Sequence, residues 1–165
     1  MHYCKSCSAP IGRLTLYSDG KALTGISFEH QRHFTPPKKV IPGDLPVFWA
    51  VETWLERYFA GQRPNPADLP LRFSGTRFQK EVWSALLKIP YGTSVTYGEL
   101  AKQLGTSAQA VGGAIGRNPI SIICPCHRVL GTNGKLIGYS GGLDIKTWLL
   151  DLEHIPHRPC IKKDL

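Results

Sequence analysis

The sequence predicts two lobes: a small N-terminal α/β lobe built on an antiparallel sheet, and a helical C-terminal lobe carrying a helix-turn-helix. Three observations point there. Residues 11–28 read as two strands around the turn "SDGK". Residues 74–119 read as three short helices, each opened by a Thr with Gln or Glu three positions later. Between them lies "QRPNPADLP" (62–70), a proline-punctuated connection. The expected division is therefore 1–73, 74–155 and a mobile tail, 156–165.

Taken in order, "IGRLTLYS" (11–18) alternates Ile11, Leu14 and Leu16 with polar residues, and "ALTGISF" (22–28) answers it across the turn. Cys4 and Cys7 form a CxxC on an earlier strand, where residues three apart face opposite ways. They are read as packing or exposed thiols, not as a zinc site, although His2, His30 and His33 could complete one. "HFTPPKKVIPGDLP" (33–46) reads as a loop. "PVFWAVETWLERYFAG" (46–61) puts Val47, Val51, Trp54, Leu55 and Tyr58 on one helical stripe, ended by Gly61.

In "GTRFQKEVWSALLKIPYG", Thr76 and Gln79 have capping-box spacing. Phe78, Val82, Ala85, Leu86 and Ile89 then form an apolar stripe that stops at Pro90. "TYGELAKQLG" (96–105) repeats the device with Thr96 and Glu99, and "TSAQAVGGAIGRNP" (106–119) repeats it with Thr106 and Gln109. The last two helices join through "LGTS", the cadence of a motif that presents its second helix to DNA. Short helices linked by Gly-Ser turns also occur in α-rich domains that bind none. Beyond "ISIIC", the pair Asn133-Gly134 signals a tight hairpin. "LDIKTWLLDLEH" (143–154) reads as a closing helix with Leu143, Thr147, Leu150 and His154, or Trp148 and Leu152, turned inward.

The chain has 165 residues, 42% hydrophobic and 19% charged, a globular profile. No apolar run approaches the roughly 20 residues of a membrane span. The start, "MHYCKSCSAPIG", has neither the apolar core nor the basic flank of a signal peptide. The expected address is cytoplasmic, or nuclear in a cell with a nucleus, where five cysteines would be thiols. A net charge of +8 suits an acidic partner, nucleic acid first among them. No acidic residue lies between Glu99 and Asp144, while Lys102, Arg117, Arg128 and Lys135 do. A solvated basic face would look the same, but a surface that approaches phosphates has reason to exclude carboxylates.

The chemistry concentrates in "IICPCHRVLG" (122–131). A cysteine attacks as its thiolate, which a free thiol of pKa about 8.5 rarely forms at neutral pH. His127 and Arg128 could supply positive charge to Cys126, and Pro125 would fix its backbone. Neighbours on an extended chain point apart, so His127 would act through a bridging water, oriented by an acid from the closing helix. Cys124 is read as a core residue, because a disulfide to Cys126 would be strained.

"NPISIICPCHRVLG", "GYSGG" and "WLLDLE" resemble the O6-alkylguanine-DNA alkyltransferases, the methylated-DNA–protein-cysteine methyltransferases. The likeness covers essentially the C-terminal half, and "SAPIGRLTL" and "WLERYFAG" extend it more loosely to the N-terminal lobe. The resemblance implies a ribonuclease-H-like first lobe, a winged helix-turn-helix second lobe, and irreversible transfer of an alkyl group from O6 of guanine to the protein's own cysteine, with the lesion range (methyl or bulkier groups, and O4 of thymine) left open. It makes Cys126 the acceptor, His127 the water-mediated base, Glu153 its orienting acid and Asn118 the brace of the active-site turn. Tyr97 would help rotate the nucleotide out of the stack. Tyr139 and Ser140 would hydrogen-bond the base, with Val129 and the glycines at 138, 141 and 142 leaving room for it.

Extrusion of the base is required because O6 lies within the duplex. The helix at 106–119 would meet the minor groove through Gln109, Ala110, Gly112 and Gly113, with Arg117 and Arg128 as further DNA contacts. One departure stands out: Gln109 occupies the place of an arginine that in the family fills the gap left by the flipped base. Gln109 could instead serve as capping partner of Thr106. The partner implied is double-stranded DNA containing O6-alkylguanine, with no cofactor, metal or membrane. A monomer is expected, with cooperation between copies along DNA left open. Two alternatives compete: a lesion-binding protein that transfers nothing, which the acceptor cysteine argues against, and a cysteine hydrolase, which leaves the helix-turn-helix unexplained.

Overall fold

The computed structural model describes residues 1–32 and 34–159. The first lobe is a four-stranded sheet in the order β3-β2-β1-β4, formed by β1 (His2–Ala9), β2 (Gly12–Ser18), β3 (Leu23–Phe28) and β4 (Val40–Pro42). β1–β2 and β2–β3 pair antiparallel, with Leu16 opposite both Lys5 and Ile26. Leu14 and Leu16 are fully buried and their neighbours are not, as a period of two requires. β4 corrects the expected loop: within 33–46, Val40–Pro42 runs parallel to β1. Pro42 lacks an N–H and is tolerated there because β4 is an edge strand. Helix α1 (Pro46–Phe59) covers the sheet, burying Val47, Phe48, Val51, Trp54, Leu55 and Tyr58.

The second lobe begins with α2 (Arg77–Leu86). Thr76 Oγ1 accepts from Gln79 N at 3.1 Å and Gln79 Oε1 accepts from Thr76 N at 3.0 Å, which satisfies two N-terminal donors reciprocally. The short strand β5 (Val95–Thr96) leads into α3 (Tyr97–Leu104), capped by Thr96 and closed by Gly105 at φ 68°. α4 (Ala108–Gly116) follows and packs on α2 and α3. Its cap is Ser107, whose hydroxyl accepts from Ala110 N at 3.1 Å, and not Thr106. Gln109 is therefore not a capping partner, and its side chain is exposed.

The run after α4 is a set of turns and not a strand. It ends in a 3-10 turn, Cys126–Arg128, and then β6 (Val129–Leu130), which pairs parallel with β5. Asn133 (φ 60°) and Gly134 (φ 79°) form the expected tight turn, and Gly131 N donates to Lys135 O at 2.8 Å. No two-stranded ribbon grows from it. Leu136 N donates instead to Arg158 O and Arg158 N to Gly134 O, so residues 156–159 are held by the fold. The rest of the expected tail, 160–165, lies outside the described residues.

α5 (Leu143–Leu152) turns Lys146, Leu149 and Leu150 inward. Leu143 and Trp148 are exposed, and so is His154, contrary to the stripes expected for this helix. A lysine at the buried position hides the true apolar face from a hydrophobicity count. The two lobes share one continuous core, from Leu14 and Ile26 through Trp83 to Ile123 and Val129. They are also joined at the backbone, where Ile26 N donates to Pro119 O at 2.9 Å.

Candidate active site

Asn118 organises the turn that carries Cys126. Its Nδ2 donates to Cys124 O at 2.9 Å and its Oδ1 accepts from Ile120 N at 3.0 Å. Between them Ile122 sits at φ 73°, a conformation that a β-branched residue adopts only when its surroundings impose it. Pro125 then starts the 3-10 turn, so Cys126 and His127 are not neighbours on an extended strand. The turn turns His127 and Arg128 towards the end of α5.

There they meet Glu153, whose two oxygens take five donors. Oε2 accepts from His127 Nε2 at 2.6 Å, Arg128 Nη2 at 3.2 Å and the Tyr58 hydroxyl. Oε1 accepts from Arg128 Nε at 2.8 Å and Gly92 N at 3.0 Å. Burial pushes this carboxyl up, but the hydrogen bond from His127 and the hydrogen bonds and charge of the Arg128 guanidinium outweigh it and hold the group down at about 2. His127 is pushed down by burial, against the pull of Glu153. The permanent cation Arg128 suffices to keep Glu153 ionised. His127 is then a neutral imidazole donating from Nε2, because a carboxylate can only accept. Its Nδ1 is left as an acceptor, buried and without a partner among the described residues.

Cys126 is 2% exposed, and burial raises its pKa, opposed by the Asn118 amide, the Lys146 charge and the Tyr139 hydroxyl. The resting group is a thiol, contrary to the depressed pKa expected from His127 and Arg128. Tyr139 Oη is buried, has no nitrogen or oxygen partner among the described residues, and lies against the Cys126 sulfur. Tyr97 is pushed up to about 12 by burial and by Cys126. Lys146 donates to Val129 O at 2.8 Å and Gly138 O at 3.0 Å, and burial lowers it to about 8.

A cavity of about 520 Å³ opens above the sulfur. Of the residues singled out from sequence, it brings together Cys126, Tyr97, Gln109, Gly112, Gly138, Tyr139 and Ser140. Ala110 packs half-buried beside it on α4, and Gly113 and Arg117 face solvent. Two assignments are corrected. Val129 is fully buried beneath the cavity and lines none of it, because β6 pairs with β5. Arg128 is unavailable to DNA: it is buried, bonded to Glu153, and its Nη1 donates to Ile89 O at 2.7 Å.

Sequence reasoning missed Tyr58, Lys146 and Arg32, which lines the cavity from the first lobe. Lys146 carried a usable signal, standing three positions before Leu149 on a helix whose other apolar stripes were weaker. Tyr58 and Arg32 carried none, since only the packing of one lobe on the other brings them near.

Residues 2–73 match a family model described as 6-O-methylguanine DNA methyltransferase, ribonuclease-like domain, and residues 77–155 match that family's DNA binding domain. This chain belongs to the 6-O-methylguanine DNA methyltransferase family. Relatives named methylated-DNA–protein-cysteine methyltransferase include one from Haemophilus influenzae, 47% identical, which the alignment covers over 84% of its length and 90% of this chain. Another, from Mycobacterium leprae, is 47% identical with 93% of both chains covered. Among solved members of the methyltransferase family, the crystal structure of Mycobacterium tuberculosis OGT in complex with DNA superposes with a TM-score of 0.85. It is 44% identical, over 92% of this chain and 93% of that one.

Proposed function

We propose that this methyltransferase moves an alkyl group from O6 of guanine in duplex DNA onto the Cys126 sulfur, once per molecule. The observation that carries the reading is a buried thiol on the floor of a base-sized cavity walled by α4, the exposed helix of the helix-turn-helix. An extruded guanine fits that space, and one still stacked in the duplex cannot present its O6 there.

In the proposed step, the Cys126 proton passes through a bridging water to His127 Nδ1. The sulfur attacks the alkyl carbon, an S–C bond forms, and the C–O6 bond breaks with its electron pair passing to the guanine ring. His127 becomes a cation against Glu153, already aligned by the Nε2 hydrogen bond. The Tyr139 hydroxyl donates first towards sulfur and then towards the leaving base, and the Ser140 backbone and Tyr97 supply further polarity. Lys146 adds positive charge near the developing thiolate and holds the Gly138 turn over the cavity. Asn118 keeps the turn in place. No catalytic step requires a metal or cofactor.

α4 enters the minor groove with Gln109 at the gap left by the base. Gln109 lacks the charge and reach of an arginine, so flipping is slower but the chemistry is intact. No helix among the described residues is long and apolar enough to cross a membrane. A protein with this substrate works where the DNA is, in the cytoplasm of a cell without a nucleus.

The test is intact-protein mass after incubation with duplex carrying one O6-methylguanine, followed by peptide mapping. One methyl on the Cys126 peptide, stopping at one per protein, is the expected result. Lesion binding without a change in mass would make the chain a lesion-recognition protein instead.

A further inference from the structure

The cavity has two rims. One is α4, with Ala108, Gln109 and Gly112, and the other is the turn at Tyr139–Ser140 together with Arg32 of the first lobe. Arg32 is tied into that second rim by its backbone, since its N–H donates to Ser140 O at 3.0 Å. The neighbouring Gln31 ties the same turn by its side chain. Its Nε2 donates to Ser140 Oγ at 3.3 Å while its Oε1 accepts from Phe28 N at 2.9 Å. Phe28 itself packs so closely on the turn that a Cβ on Gly141 would lie 2.6 Å from its ring. The segment after β3 is therefore fastened to the turn that roofs the reactive sulfur.

The Arg32 side chain is exposed and takes part in no hydrogen bond or ion pair with the described residues. Among the described residues it is the one charged group lining the cavity, and no carboxylate of theirs lines it. A guanidinium with planar, forked donors suits phosphate oxygens better than a point charge does. When a base enters such a cavity, its phosphates stay on the duplex backbone at the mouth. That is where Arg32 stands, across from α4.

We propose that Arg32 of the N-terminal lobe is a phosphate clamp for the extruded nucleotide, gripping the backbone from the rim opposite the recognition helix. The inference rests on the alkyl-transfer reading above and gives the first lobe a direct part in substrate binding. A clamp that touches only phosphate helps DNA substrates and leaves a free base unaffected.

Arg32→Ala and Arg32→Lys are compared with the unsubstituted protein on two substrates. One is duplex with a single O6-methylguanine, and the other is free O6-benzylguanine, which has no phosphate. For Arg32→Ala, the second-order transfer rate on duplex should fall about tenfold at moderate salt, and the slope of log binding constant against log salt should become shallower by about one. The free-base rate should stay unchanged, and Arg32→Lys should recover most of the loss. Unchanged duplex kinetics and salt slope in Arg32→Ala would overturn the clamp. Equal slowing on both substrates would also overturn it, by showing that Arg32 shapes the pocket or touches the base. Transfer by the unsubstituted protein separates the two failures: its absence sinks the alkyl-transfer reading and the clamp with it.

Discussion

Cys124 and Cys126 sit two residues apart in one turn, at 0% and 2% exposure, and burial raises the pKa of both thiols. Their difference lies in what surrounds the sulfur. Cys124 Sγ points into the core towards Trp83 O at 3.6 Å, within the apolar core that also holds Val82, Ile120 and Val111. Cys126 faces a cavity, with the Asn118 amide, the Tyr139 hydroxyl and the Lys146 ammonium around it. On the proposed reading, burial alone does not make a cysteine inert, and a low resting pKa is not what sets Cys126 apart from Cys124. Access to a substrate and groups that stabilise the thiolate as it forms decide the matter.

The largest effect expected is on the reactive side of this pair. Cys126→Ser should abolish transfer and leave DNA affinity nearly unchanged, because phosphate contacts carry most of it. Cys124→Ser should transfer a full equivalent of methyl while unfolding at lower denaturant. Stoichiometric label on Cys126→Ser would erase the distinction between the two thiols.

Next in size is the network behind His127. Glu153→Gln leaves Arg128 buried without its anion, which costs about 3–5 kcal/mol of stability, and removes the partner of the imidazolium formed during transfer. Single-turnover transfer should slow even at temperatures where circular dichroism shows the variant folded. A folded variant with unchanged rate would mean that Glu153 serves the fold alone.

Acid unfolding sharpens the same point. His127 is held neutral in the fold but takes a proton in the unfolded chain below its ordinary pKa of 6.5, so stability falls as pH drops through that value. Glu153, held at about 2 against an ordinary 4.5, adds a second loss between those two values, where only the unfolded carboxyl binds a proton. Urea midpoints measured from pH 7 to pH 2 should show both declines, and Glu153→Gln should lose the lower one. An unchanged lower decline in that variant would assign it to other carboxylates.

The smallest effect concerns the rim opposite Arg32. Gln109 is exposed at the cavity mouth and free of any capping role. Gln109→Arg should tighten duplex binding and steepen its salt dependence by about one ion, with no change in transfer from a free base. Identical binding and repair rates would show that another group fills the space of the flipped base.

Much of this was legible along the chain, because it rests on local physics. Alternation in 11–28 set two strands, the Thr76 and Gln79 spacing set the start of α2, and the pair Asn133-Gly134 set a left-handed turn. Each follows from interactions within a few residues. The motif around Cys126 singled out its thiol and His127 as the candidate chemistry, and the resemblance added the acceptor role together with Glu153, Tyr97 and Tyr139.

Other features needed the folded chain. Arg128 looked like a DNA contact until Glu153, 25 positions away, was seen to bury it. Lys146 was not singled out along the chain, and only in the fold do the carbonyls of Val129 and Gly138 meet its ammonium. The cap of α4 moved from Thr106 to Ser107, a choice between adjacent hydroxyls that backbone geometry made. Tyr58 reaches Glu153 across 95 positions, and Arg32 reaches Ser140 across the lobe boundary. Sequence alone determined the local elements and singled out Cys126 as the candidate reactive thiol. Tertiary structure decided which charges are buried and which are offered to the substrate, because that depends on partners distant in the chain whose approach no local pattern encodes.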